Sequence, residues 1–68
     1  MKLRYDADAD ILTLVLDESP PVDTAEEPDG VILSYGSTGR LVSIELLEAS
    51  GRGLDRLEEL TVAVMPQQ

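Results

Sequence analysis

Two matching stretches of sequence decide the fold: LRY at 3–5 with ILTLVL at 11–16, and LSY at 33–35 with LVSIEL at 41–46. The second pair lies thirty positions after the first, since 33 follows 3 and 41 follows 11 by the same interval. Within each pair, two short apolar alternations are separated by a hydrophilic turn, a pattern typical of a β-hairpin. The sequence therefore predicts a small antiparallel sheet built from two similar hairpins.

The first predicted hairpin covers 2–17. If Tyr5 pairs with Leu12, then Leu3 pairs with Leu14, and both pairs lie on the same side of the sheet. This register separates a face of large apolar side chains from a wetter face, so we expect it to be the one that forms.

The second predicted hairpin covers 30–48, with a turn whose glycines can take positive φ. Pairing Tyr35 with Val42 or with Arg40 gives the same assignment of side chains to faces. Together the two hairpins predict one buried apolar face containing Leu3, Tyr5, Leu12, Leu14, Leu33, Val42, Ile44 and Leu46.

The remaining segments differ in composition. Residues 18–29 hold three of the four prolines and five acidic residues, and proline is excluded from central strands, so an extended acidic loop is predicted. Leucines at 54, 57 and 60 predict a short amphipathic helix over 54–60, and the alternation over 61–65 predicts a last strand. The predicted fold is one α+β domain spanning residues 1–68.

Charge and composition restrict the function. Fourteen acidic residues against five basic ones give a net charge of −9, which argues against nucleic-acid binding because that depends on Lys and Arg. There is no cysteine or histidine for a disulfide or a structural zinc site. No apolar run is long enough to span a membrane, and no secretory signal pattern opens the sequence. A cytoplasmic protein is expected.

Three aspartates at alternate positions, Asp6, Asp8 and Asp10, are weak candidates for a metal site. Counted from Asp6, however, the sixth and twelfth positions are Ile11 and Asp17, where a calcium-binding EF-hand loop needs glycine and glutamate. We therefore expect these carboxylates to stabilise a turn, with a weak cation site as the alternative.

Other polar residues offer little chemistry. The two aromatic residues, Tyr5 and Tyr35, hold equivalent places in the repeat and are expected to anchor strand ends, with ligand contact as the alternative. Glu45 interrupts an apolar strand and is expected to be solvated or to pair with Arg4 or Arg40. No serine has a recognisable activating base. We expect no catalytic residues, no cofactor and no enzymatic activity.

A set of short motifs resembles a known family. These are Tyr5-Asp6 with Asp10, the run from Gly30 to Leu33, the run from Gly39 to Leu46, and Ala49-Ser50. They resemble the domain of unknown function 2283 family over residues 2–50. The resemblance implies a small, β-rich intracellular module without established activity or catalytic residues. The chain departs from the family at 36–38, where acidic turn residues are usual.

Three functional hypotheses follow. A chain this short hides too little surface for a comfortable margin of stability, which favours a self-associating module, most simply a homodimer. An acidic, antitoxin-like partner of a small basic protein, steered by the 18–29 segment, is the second. A weak cation-binding or small-ligand domain using the Asp6–Asp10 turn is the third. The interface candidates for the first hypothesis are Ile11, Val15, Ile32, Leu41, Val62 and Val64.

Overall fold

The computed structural model describes residues 1–56. Within them the chain forms one antiparallel sheet of five strands followed by a short 3-10 turn. Across the sheet the strand order is β1-β2-β5-β4-β3. The elements are β1 (Lys2–Asp6), β2 (Ile11–Val15), β3 (Asp23–Glu27), β4 (Val31–Tyr35), β5 (Leu41–Leu47) and the 3-10 turn (Ala49–Arg52).

The predicted α+β class is wrong, because the described residues are all-β apart from the single 3-10 turn. Residues 54–56, the start of the predicted helix, are not helical. Gly53 ends the 3-10 turn at φ 77, a left-handed conformation that stops a helix. A leucine spacing over only seven positions is too short to specify a helix without docking. The rest of that helix and the 61–65 strand lie outside the described residues.

The first hairpin has the predicted register. Tyr5 pairs with Leu12 and Leu3 with Leu14. The turn residue Asp10 has φ 57, which places it in the left-handed region that aspartate tolerates better than most residues. The alternation alone was sufficient here, because slipping by one residue would turn every apolar side chain to the other face.

The second hairpin matches the prediction in its faces but not at its turn. Leu33 pairs with Ile44, as the alternation requires. Tyr35, however, pairs with Leu41, a partner that neither predicted register gave, because the register shifts between Ser34 and Tyr35. A β-bulge of this kind adds one residue to one strand, and the alternation of a sequence does not mark it.

The segment predicted as an acidic loop contains β3. This strand pairs with β4 along the sheet edge, and Val22 extends the contact by donating its N–H to the Tyr35 carbonyl at 2.8 Å. Pro20 and Pro21 precede the strand and Pro28 follows it, so no proline interrupts its hydrogen bonds. The charged side chains that led to the loop prediction are also tolerated in an edge strand.

The sequence repeat appears in the sheet as an approximate two-fold symmetry. The pairing of Leu3 with Leu14 in the first hairpin is reproduced thirty positions later by Leu33 with Ile44. Leu14 and Ile44, which are also thirty positions apart, pair with each other where β2 meets β5. The symmetry axis therefore passes through this central pair, perpendicular to the sheet.

Burial is shallower than the predicted core requires. Leu12 and Val42 are 6% and 3% exposed, but Leu3 is 44% exposed, and the other predicted core residues are half-buried. The prediction of eight buried side chains is therefore wrong for most of them. The physical reason is that residues 1–56 supply one layer, whereas a buried face needs a second.

Candidate functional site

The turn between β1 and β2 is built by its aspartates. One carboxylate oxygen of Asp6 accepts hydrogen bonds from the backbone N–H groups of Asp8 at 3.0 Å and Ala9 at 3.2 Å. This is the local side-chain-to-backbone bonding that makes aspartate common in turns. The expectation that these residues stabilise a turn is confirmed for Asp6.

Asp10 ties this turn to the 3-10 turn. Its carboxylate accepts hydrogen bonds from the Tyr5 hydroxyl at 2.8 Å, the Ser50 backbone N–H at 2.9 Å and the Ser50 hydroxyl at 2.6 Å. The Asp10 carbonyl also accepts from the Ala49 N–H at 3.0 Å. The bonds from Ser50 and Tyr5 lower the pKa of Asp10, because they stabilise its charged form. The same carboxylate, as a hydrogen-bond acceptor, raises the pKa of Tyr5 to about 12.

Arg52 ties the other end of the 3-10 turn to the turn between β3 and β4. Its guanidinium donates to the Asp29 carbonyl and lies 3.4 Å from an Asp29 carboxylate oxygen. It also donates to the Leu47 carbonyl at 3.4 Å. The 3-10 turn thus contacts two turns that lie at one end of the sheet.

The three aspartates proposed as a weak metal site do not converge. The Asp6 carboxylate caps its own turn and the Asp10 carboxylate faces Tyr5 and Ser50. Within residues 1–56, no group of three or more His, Cys, Asp or Glu side chains is placed to hold a metal ion. No helix in that part of the chain is long and apolar enough to cross a membrane.

A concave site of about 360 Å³, which we call the groove, lies on the face of the sheet opposite Leu3, Leu14 and Ile44. Its floor is the sheet, where Arg4, Thr13 and Glu45 form one cross-strand row. Ser43 and Ser34 pair in the next row. Its wall is the segment from Asp17 to Pro21, which follows β2.

The charged groups of the groove differ in what they already bind. Asp17 accepts hydrogen bonds from the Ser19 N–H at 2.9 Å and hydroxyl at 2.8 Å, and these bonds lower its pKa. Glu18 forms an ion pair with Lys2 at 3.1 Å. The predicted pairing of Glu45 with Arg4 or Arg40 is not among the ion pairs of the described residues. Glu45 is thus the half-buried carboxylate of the groove without such a partner.

Ser34 is the buried polar residue of the groove. It is 4% exposed and lines the groove. No side-chain hydrogen bond of its hydroxyl is found within the described residues. Sequence reasoning missed Ser34, because an alternating strand gives no sign that a segment from elsewhere in the chain will lie beside its polar face.

The interface candidates fall in three places. Ile11, Val15 and Ile32 lie on the face that carries the groove, and all three are half-buried. Leu41 lies at the bulge, opposite Tyr35. Val62 and Val64 lie outside the described residues. The role of these six residues in an interface stays a prediction.

The opposite side of the sheet, which we call the apolar face, is continuous across all five strands. The cross-strand pairs run without interruption from Leu3 through Leu14, Ile44 and Leu33 to Ala25. A second row beside it holds Tyr5, Leu12, Leu46, Val31 and Glu27. Residues 1–56 contain no second sheet and no α-helix. On this face Leu12 is 6% exposed, whereas Leu3 at the edge strand is 44% exposed.

The chain was compared with known protein families. A family described as Protein of unknown function (DUF2283) matches residues 2–50, nearly three quarters of the 68 residues. The chain belongs to this family. The resemblance drawn from the sequence motifs is therefore confirmed. No curated protein and no solved structure matches the chain.

The motifs that carry the DUF2283 resemblance acquire a physical meaning in the structure. Tyr5, Asp10 and Ser50, which are far apart in sequence, meet in one hydrogen-bond network. Gly30, at φ 70, accepts a backbone hydrogen bond from Leu47 at 2.8 Å. These motif residues close the end of the sheet. Arg52 lies beyond the matched residues, and its contact with Asp29 was not predicted.

Proposed function

We propose that this chain is a non-enzymatic, cytoplasmic interaction module that forms a homodimer by packing the apolar faces of two copies together. The observation that supports the proposal is the one-layer sheet: its apolar face runs across five strands, and Leu3 on that face is 44% exposed. A stable domain buries such a face against a second layer. A second copy supplies a layer of matching shape.

The symmetry of the sheet favours a face-to-face pair. The approximate axis passes through Leu14 and Ile44 at the centre of the apolar face, so this face presents similar features on both sides of its centre. A two-fold interface requires a surface that complements itself. Two sheets stacked in this way pack about 10 Å apart, with their side chains interdigitated.

The size of the face sets the strength expected of the dimer. Five strands about 4.8 Å apart, each rising about 3.3 Å per residue, give a footprint of about 20 Å by 17 Å. That footprint is about 340 Å² per copy, well below the roughly 800 Å² per partner of a standard interface. The net charge of −9 on each copy opposes association. We therefore expect a reversible dimer that strengthens as salt screens the repulsion.

Sedimentation equilibrium of the full-length chain at micromolar concentration tests the proposal. The informative variant is Leu3→Lys, because Leu3 lies on the apolar face and is 44% exposed. Its matched control is Thr24→Lys, which adds the same charge at an exposed position on the groove side. We expect the wild type and Thr24→Lys to dimerise and Leu3→Lys to remain monomeric.

Two results would overturn the proposal. One is a wild-type monomer at every concentration and salt level tested. The other is a monomer whose Leu14 and Leu33 methyl groups show nuclear Overhauser contacts to residues 57–68, which would assign the apolar face to the chain's own C-terminal segment.

A second candidate function is an acidic partner for a small basic protein. The feature that favours it is β3, an edge strand whose five residues include Asp23, Glu26 and Glu27. A basic segment could pair with the edge of β3 that has no partner strand among the described residues, and be attracted by these carboxylates. Such a complex should weaken as salt rises, opposite to the homodimer. Co-purification from the native cell that recovers no basic partner at low salt would exclude it.

A further inference from the structure

We propose that the groove is a binding site for a ligand group that carries an ammonium or guanidinium cation, with Glu45 as its carboxylate partner. This site lies on the side of the sheet away from the apolar face, and it does not depend on dimer formation. The cation could belong to a small polyamine or to a Lys or Arg side chain of a peptide. Both present the same chemistry to Glu45.

The first step of the argument concerns which carboxylate is available. The Asp17 carboxylate accepts hydrogen bonds from Ser19, and Glu18 is ion-paired with Lys2, so both carboxylates of the groove wall already have partners. Glu45 projects from the central strand β5 into the groove. It is half-buried, and no hydrogen bond or ion pair of its side chain is found within residues 1–56. A partly desolvated carboxylate gains more from a cationic partner than an exposed one does.

The second step concerns Ser34, which points to a ligand independently of the charges. Its side chain is among the most buried of the described residues, at 4% exposed, and it lines the same groove. Among the described residues no side-chain nitrogen or oxygen is both fully buried and without a partner. The Ser34 hydroxyl, which makes no side-chain hydrogen bond there, therefore opens onto the groove and is free to accept a bond from a bound N–H group.

The third step concerns selectivity. The groove contains one guanidinium, that of Arg4, at the far end of the row that runs through Thr13 to Glu45. Arg4 forms no ion pair within the described residues, so it would attract an anionic ligand. The carboxylates of Asp17, Glu18 and Glu45 would repel the same ligand. A cationic ligand is attracted by these three carboxylates and repelled by Arg4. The net charge of −9 also draws cations toward the surface.

Nuclear magnetic resonance titration of the full-length chain tests the proposal with two probes. The first is agmatine, a free small molecule with a guanidinium and an ammonium group. The second is the capped peptide acetyl-Gly-Arg-Gly-amide, which carries the guanidinium on a peptide. We expect saturable shifts of the Thr13, Ser34, Ser43 and Glu45 amides. Binding of agmatine alone would indicate a small-molecule ligand, and binding of the peptide alone a protein ligand. Binding of neither would overturn the proposal.

Three variants separate this site from general attraction to an acidic protein. Glu45→Gln should weaken binding about ten- to one-hundredfold, the usual effect of losing a hydrogen bond to a charged group. Asp8→Asn removes the same charge from an exposed turn and should leave affinity unchanged. Arg4→Gln should strengthen binding about twofold, because it removes a like charge near the ligand. Equal losses in Glu45→Gln and Asp8→Asn would overturn the assignment.

The variant Ser34→Ala distinguishes a role in ligand binding from a role in folding, because affinity and stability are measured separately. Removing a hydroxyl that makes no hydrogen bond within the described residues should leave the free energy of unfolding nearly unchanged. If the hydroxyl contacts the ligand, the same variant should bind either probe less tightly. A variant that is less stable but binds normally would remove Ser34 from the site.

Discussion

Position 10 requires both a left-handed backbone and a side chain that accepts several hydrogen bonds, and few residue types meet both requirements. The backbone of Asp10 is left-handed at φ 57, a conformation that aspartate and asparagine adopt more readily than other non-glycine residues. Its side chain accepts hydrogen bonds from Tyr5 and twice from Ser50. Asparagine meets the first requirement but not the second, because its amide nitrogen cannot accept from Ser50.

We therefore predict that Asp10→Asn lowers the Tm at neutral pH, while Asp8→Asn in the same turn does not. The pH dependence has a definite sign. The pKa of Asp10 is lowered from its ordinary value of 3.8, so its contribution to stability is present above that value. It is lost as the pH falls through the lower folded-state pKa. The difference in Tm between wild type and Asp10→Asn should therefore shrink below about pH 4. A difference that persists in acid would contradict the carboxylate's role.

Tyr5 should report the same network from the alkaline side. In a Tyr35→Phe background Tyr5 is the remaining tyrosine, and ultraviolet absorbance should show it ionising with a pKa of about 12. Because the folded-state pKa lies above the ordinary 10.0, this contribution to stability is complete below pH 10 and is lost as the pH rises through 12. Adding Asp10→Asn should move the midpoint back toward 10. An unchanged midpoint would show that Asp10 is not the cause.

At the scale of elements, the sequence predicted most reliably what alternation controls. The register of the first hairpin and the faces of the second follow from a period of two, because a slip of one residue would expose the apolar set. The bulge at Tyr35 was not predicted, because it changes which residues pair without changing the alternation of the sequence on either side. The strand β3 was not predicted, because an edge strand tolerates acidic residues that a central strand would exclude.

Glycine at the turn between β3 and β4 provides a prediction at this scale. Gly30 has φ 70, and a Cβ there would lie 3.3 Å from the Cβ of Leu47. Gly30→Ala should therefore cost about 1–2 kcal/mol, from left-handed strain and crowding together. Gly39→Ala, at φ 83 with nothing within 4 Å, should cost about 1 kcal/mol from left-handed strain alone.

Chemical denaturation measures these differences. Gly51→Ala is the control, since it has neither positive φ nor a neighbour within 4 Å of the added Cβ, and it should stay within about 0.5 kcal/mol of wild type. A Gly51→Ala variant as unstable as Gly30→Ala would show that the turn geometry is not the reason.

For the whole molecule, the thin core links stability to association. Leu12, Val42 and Ala49 are the buried apolar residues of the described part, which is few for a stable core of 56 residues. If the folded state dimerises, mass action stabilises it as concentration rises. We therefore predict that the wild-type Tm increases with protein concentration, measured by circular dichroism over a hundredfold range. Leu3→Lys should melt at a temperature that does not depend on concentration.

The candidate site could be predicted only in part. The turn role of Asp6 follows from residue type and spacing, since aspartate bonds to backbone groups two and three positions ahead. The groove could not be predicted, because it exists only where the segment after β2 returns across Ser34 and Glu45. The bond between Asp10 and Ser50 joins residues forty positions apart, and no local pattern encodes such a contact.

The 3-10 turn contacts hairpin turns at one end of the sheet, so the two ends should differ in how well they tolerate inserted sequence. The connection over 7–10 is held by Ser50, whereas the bonds found within residues 1–56 for the equivalent connection over 36–40 are its own Gly36–Arg40 and Gly39–Gly36 backbone bonds. Exposed tips of the second kind are where added sequence is best tolerated. An epitope or fluorophore tag inserted between Ser37 and Thr38 should leave the fold intact, while the same insert between Asp8 and Ala9 should prevent the sheet from closing.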